Sequence, residues 1–317
     1  MKKVLFALAA VVALAACSKE QTLVTPQPDA IGFGTPFIEN STRVDYSSAG
    51  TLTKFNVYGT VTGTAGTVNI YEGVEVTKTK QNGTDIGGDD SWWYAAGDAQ
   101  YWIPGASYNF VAVVDATVAT DETTGMPLTL TTQADDATED NMYLKDMLYA
   151  TATATVNAEG TPSANPVNFN FSHLLSKVKF TVTSNAMGGY YHTVTGIKVS
   201  NFETGTYTIA NGTWVGVTAK DVGFAEIENV TSTDTKGKTN AELLLVPNAA
   251  SFNVTFTVNL YKNDTWLGTE TINKTVETAL VKGNSYNFTI ACSVGNPIKF
   301  GVTNDPTWGD TTDVAIQ

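Results

Sequence analysis

Arginine is nearly missing from this chain of 317 residues: Arg43 stands alone, and Lys and Arg together number 18 against 31 Asp and Glu, a formal charge of −13. So few cations cannot neutralise a track of phosphates, which excludes nucleic acid as a partner. Charged residues of either sign make up only 15% of the chain. Histidine and cysteine occur twice each, which leaves little for catalysis to use. No G-x-S-x-G elbow, H-E-x-x-H pair or Walker loop is present. Ser172 and His173 are only adjacent in sequence, which does not create the oriented hydrogen bond of a nucleophile and its base. Helical periodicity is also absent, and Asp140–Leu148 and Ser172–Lys177 offer a turn or two at most. What abounds is threonine, 50 of them, with 27 Gly and 33 Tyr, Phe and Trp. Such residues favour pleated strands and turns, and 42% hydrophobic content excludes wholesale disorder.

The first residues do not belong to the fold. Lys2 and Lys3 precede an apolar run, Val4 to Ala13, and Leu14-Ala15-Ala16-Cys17 closes it with small residues before a cysteine. This is a secretory signal over 1–16, too short in its apolar part to span a bilayer. Its end resembles the bacterial lipobox, in which Cys17 is lipidated and becomes the new N-terminus. Residues 17–30, polar and with two prolines, read as a tether. Cys292 is then the remaining thiol, so no internal disulfide forms. It closes the alternation Tyr286, Phe288, Ile290, Cys292 and is predicted to point into a core.

Strand-like alternation recurs along the rest. Ile31, Phe33 and Phe37 head a first stretch, which Pro36 confines to an edge or a strand end. Further runs carry Phe55/Val57, Tyr108/Phe110, Leu148 to Val156, Val178/Phe180/Val182, Phe252 to Val258 and Tyr286 to Cys292. The stretch 157–166 has the composition of a linker or long surface loop. It places one domain at 31–160 and a second at 161–317. Strands every 8–15 residues with turns between predict an all-β chain of two antiparallel sandwiches.

Candidate sites are few. His173 reads as a satisfied structural histidine at a strand end. Carboxylates gather at Asp135-Asp136 with Glu139-Asp140 and at Asp85 with Asp89-Asp90, without the spacing of a calcium loop, so no metal or other cofactor is predicted. Trp92, Trp93 and Trp102 form the densest aromatic group, a ligand platform if exposed and one side of a core if buried. Alternation sends Trp92 and Trp93 to opposite faces, which favours the core. Arg43 lies in a polar break just after the first strand, the kind of loop that proteases nick.

Asn168-Phe-Asn-Phe-Ser-His173-Leu-Leu-Ser-Lys177-Val-Lys-Phe180 resembles a segment of the Bacteroidetes fimbrillins, the FimA/Mfa-like pilins. Thr42-Arg43 behind a lipoprotein leader, Asp146-Met-Leu-Tyr-Ala150, Leu244-Leu-Val-Pro247-Asn248, Gly283 to Phe288 and Pro306-Thr-Trp308 fall in the order of that family's landmarks. The resemblance implies two transthyretin-like sandwiches and a non-enzymatic subunit exported as a lipoprotein and anchored in the outer membrane. It also implies cleavage by an arginine-specific protease, at a position that Arg43 matches. Polymerisation with other fimbrial subunits follows, as a neighbour's C-terminal strand fills the vacated groove. Ile31, Phe33 and Phe37 would be displaced; Ile298, Phe300 and Val302, with Val314 and Ile316, would form the donor arm. The alternative is a surface glycan-binding lipoprotein, which needs Trp92, Trp93 and Trp102 exposed and roughly coplanar.

Overall fold

The alternating residues do build strands. The structure, a computed structural model, describes residues 29–38, 52–79, 85–87, 92–134, 144–248 and 251–305; Cys17, Arg43, Val314 and Ile316 lie outside the described residues. The chain is all-β, and among the described residues its one helical element is a 3-10 turn at Ala96–Asp98. Ser172–Lys177 is not helical: it joins the end of strand Asn170–His173 to the start of Ser176–Ser184.

An eight-stranded sheet carries the first core. From its edge inward it runs Phe37–Ile38, Asn170–His173, Leu148–Thr155, Ser107–Val114, Lys54–Gly63 and Gly66–Thr77, then two short strands. Tyr108 and Phe110 lie opposite Ala154 and Ala152 on the neighbouring strand. The small methyls give the rings room, the cross-strand logic of a mixed large and small face. Val111 and Val113 point the other way and are buried too, which is why that strand reads as a continuous apolar run.

Two sheets enclose the second core, one centred on Ser176–Ser184 and Ser285–Cys292, the other on Tyr190–Phe202 and Phe252–Lys262. Phe180, Phe288 and Phe300 stack side by side along the first of these sheets, with centroids 5.1 and 5.7 Å apart. Cys292 is buried there as predicted, and burial pushes its thiol up to about 12. A fourth sheet is shared between the two halves, because Gly205–Thr208 pairs with Pro127–Thr132.

Val167, Phe169 and Phe171 belong to the first core. The polar stretch 157–166 therefore lies within the first packed unit, and the cores change at Leu174 and Leu175, which pack with Met147 and Leu244 between the two. Linker-like composition marks a surface loop here and not the boundary placed at 160. At this junction Asp146 and His173 meet, the imidazole Nδ1 3.0 Å from the carboxylate. Lys177, buried, pairs with Glu242 at 3.4 Å; burial lowers its pKa and Glu242 partly restores it. His173 is thus structural, as its place at a strand end implies.

The hexapeptide Gly-x-Ser-Tyr-Asn-Phe occurs at both 105–110 and 283–288. Tyr108 accepts from Ile103 N at 2.7 Å and donates to Tyr101 O at 3.2 Å. Tyr286 repeats this with Val281 N at 2.8 Å and Ala279 O at 2.9 Å. Gly105 and Gly283 both adopt left-handed φ, 76° and 71°, which closes the loop back onto each tyrosine. Replacing Tyr286 by Phe orphans a backbone donor and acceptor and is expected to cost ~1–3 kcal/mol in urea unfolding. In the native state Cys292 is expected to resist a thiol-specific disulfide reagent that modifies it promptly in denaturant, since only the thiolate attacks.

Candidate functional site: the seat of the leading segment

Residues 30–38 do not hang free; they run between two stretches of backbone. On one side Ala30 bridges Tyr101, and Ile31 N donates to Gln100 O at 2.9 Å. On the other, Val167 N donates to Gly32 O at 2.8 Å, Gly34 N to Val167 O at 3.0 Å and Phe37 N to Phe169 O at 2.9 Å. Two side chains add to the seat. The Tyr94 hydroxyl donates to Ile31 O at 2.6 Å, and Asn165 Oδ1 accepts from Gly32 N at 3.1 Å. Burial pushes the Tyr94 phenol up to about 12, so it keeps its proton. The segment pairs parallel with Asn170–His173 at the sheet edge, where a proline costs no ladder bond.

Phe33 is the centre of the site. Its ring lies 5.6 Å from Tyr71, 5.7 Å from Tyr94, 5.8 Å from Phe169 and 6.1 Å from Phe110. Ile31 and Ile38 are buried with it. At ~1.5–3 kcal/mol for each such side chain, these three contribute roughly 5–9 kcal/mol of apolar burial. Without the segment, Gln100 O, Val167 N, Val167 O and Phe169 O lose their partners, and an edge of this kind templates a new strand.

One expected inward residue faces outward. Phe37 is 59% exposed, and Ile38 takes its place. Phe33 lies opposite Val167 and Phe37 opposite Asn170, so four steps of the leading segment match three on the partner. The extra residue reverses the alternation after Phe33. At the reversal a Cβ on Gly34 would push the Asn168 side chain aside and crowd Pro166.

The tryptophan platform is corrected. Trp92 packs against Phe55 at 5.2 Å and Trp102 against Tyr108 at 4.8 Å, both buried in the first core. Trp93 alone is half-buried, on the opposite face. Alternation had indicated this split, and the sugar-stacking role of these rings falls with it. Among the proposed donor residues, Phe300 pairs with Ile290 and Val302 with Phe288 in the chain's own sheet, and Ile298 packs against the second core. Ser184 and His192 are hydrogen-bonded at 2.8 Å. Ser184 Oγ also receives Ala186 N, and burial lowers the imidazole's pKa, so the pair ties a strand end together.

In the uncut chain, Phe33→Ala is expected to lower stability by ~3–5 kcal/mol, and Phe37→Ala by no more than ~0.5 kcal/mol. Urea unfolding reads both; equal costs would mean that the segment is not seated as described.

A family profile described as fimbrillin-like matches residues 42–306. No curated protein matches the chain. Among solved structures, a cell-adhesion candidate of Bacteroides uniformis aligns over 90% of this chain and 99% of its own, at 16% identity and a TM-score of 0.51. A fimbrial assembly protein of Parabacteroides distasonis aligns over 88% and 97%, at 13% identity and TM-score 0.44. The fimbrial anchor protein Mfa2 of Porphyromonas gingivalis covers 88% and 98%, at 10% and 0.36. The first of these likenesses shows a common fold.

Proposed function

The chain belongs to the fimbrillin-like family, structural proteins of cell-surface appendages and not enzymes, and from that premise we propose that it is a fimbrial subunit assembled by strand exchange. Export proceeds as a lipoprotein through Cys17, which the lipobox supports, with anchorage in the outer membrane. An arginine-specific protease then cuts after Arg43, releasing residues 17–43 and with them the plug.

The observation that carries this reading is the seat itself: Ile31, Phe33 and Ile38 are buried in a segment that precedes the chain's one arginine. Its departure leaves apolar side chains and four backbone groups without partners, and a strand of apolar i, i+2 pattern from another subunit restores both. Val314-Ala-Ile316 repeats the spacing of Ile31-Gly-Phe33. Ile298, Phe300 and Val302 would first have to leave their own sheet, so the terminal pair is the cheaper donor.

Treatment of the purified precursor with an arginine-specific protease is expected to give one cut, after Arg43, followed by ladders of multimers that resist detergent. Arg43→Ala should give neither. Ladders of equal yield from the treated Arg43→Ala chain would overturn the mechanism while leaving family membership untouched.

A further inference from the structure

Three aromatic rings stand in one row on the solvent face of the second core's outer sheet. Tyr191 lies opposite Tyr261, and Tyr261 opposite Trp266, on three neighbouring strands. Tyr191 and Tyr261 stack at 5.0 Å with planes 8° apart. Trp266 is 57% exposed, and Leu267 beside it 49%. The inward faces of the same strands already fill the core with Val194, Val258 and Phe256, so the row adds nothing to that packing. Solvent-facing rings of this size mark a contact surface.

The row is held in place. The Tyr191 hydroxyl donates to Asp264 Oδ1 at 3.1 Å. Trp266 Nε1 donates to Thr269 Oγ1 at 3.0 Å, and that hydroxyl donates to Asn259 Oδ1 at 2.7 Å. Asn263 and Asp264 turn the hairpin with φ of 48° and 64°, the tight turn that matches strand twist. Leu260 faces Gly268 while Tyr261 faces Trp266, so Leu267 is an extra residue. That bulge keeps Trp266, Thr269 and Thr271 on one face; without it the two threonines would turn inward.

Along two of the strands the outward positions are uncharged, while Glu228, on the strand beyond Tyr191, is the nearby acid. Every outward position on Phe252–Lys262, from Asn253 to Tyr261, is Asn, Thr or Tyr, and each partner on Thr265–Val276 except Trp266 is Thr or Asn. Of the charges at the turn, Lys262 lies over the Tyr190 ring at 4.6 Å, and Asp264 is engaged by Tyr191. Rings set beside fixed amides and hydroxyls suit a ligand with an apolar face and a hydroxyl rim, as in a pyranose. An anionic polymer would meet a chain of net charge −13 and be repelled.

We propose that Tyr191, Tyr261 and Trp266, with Asn259 and Thr269, form a binding face for neutral oligosaccharide on the second sandwich. The row is fixed before binding, so little side-chain entropy is lost on contact. The test is affinity electrophoresis of the mature full-length chain through gels containing mannan, galactomannan, xyloglucan or dextran, with polygalacturonate as the anionic control. At least one neutral polymer is expected to retard the chain and polygalacturonate not to. Trp266→Ala and Tyr261→Ala should weaken that retardation at least tenfold, and Trp266→Phe should keep most of it. Thermal unfolding of Trp266→Ala is expected to match the parent, since the side chain is exposed. The proposal is overturned if no neutral polymer retards the chain, or if the alanine variants migrate as the parent does. It is overturned equally if Trp266→Ala changes only the sedimentation state, which would make the face a contact between copies.

Discussion

A sheet edge with a buried face must be covered by something, and at Val167–Phe171 the cover is the segment Ala30–Ile38. The seat takes hydrogen bonds from both flanks of the segment and places Phe33 among four other rings. Both kinds of contact are needed together. Backbone pairing alone would hold any extended peptide, and an apolar pocket alone would tolerate any register. Their combination selects a strand with apolar residues at the positions of Ile31 and Phe33.

The walls of the seat come from distant parts of the chain: Tyr71, Tyr94, Gln100, Phe110 and the stretch Asn165–Phe171. They are held rigid by what lies behind them. Behind the first core lies the cluster that holds Leu174 and Leu175, next to the paired Asp146 and His173. Removing one partner of a buried hydrogen bond leaves an unsatisfied polar group, at a cost of ~1–3 kcal/mol. The sheet shared by Pro127–Thr132 and Gly205–Thr208 ties the halves further. Asp146, His173, Leu174 and Leu175 lie where one core meets the next.

Much of the architecture was readable from alternation. Ile31 and Phe33, the opposed faces of Trp92 and Trp93, and the inward Cys292 all follow from a period of two. Phe37 did not, because a single extra residue between paired positions leaves no mark in composition. The repeated Gly-x-Ser-Tyr-Asn-Phe was in plain sight, but its meaning lies in hydrogen bonds to residues five and seven positions earlier. Tyr191, Tyr261 and Trp266 are scattered along the chain, so a search for dense aromatic clusters passes over them; strand register alone gathers them into a row.

By itself the sequence determined the class of fold, the position of the single arginine and the apolar character of the leading segment, because each is a local matter of residue type and spacing. Only the tertiary structure decided which edge that segment covers, where one core yields to the next, and which rings are left facing water. Those depend on pairing between strands far apart in the chain, and in such pairing one inserted residue exchanges inside for outside.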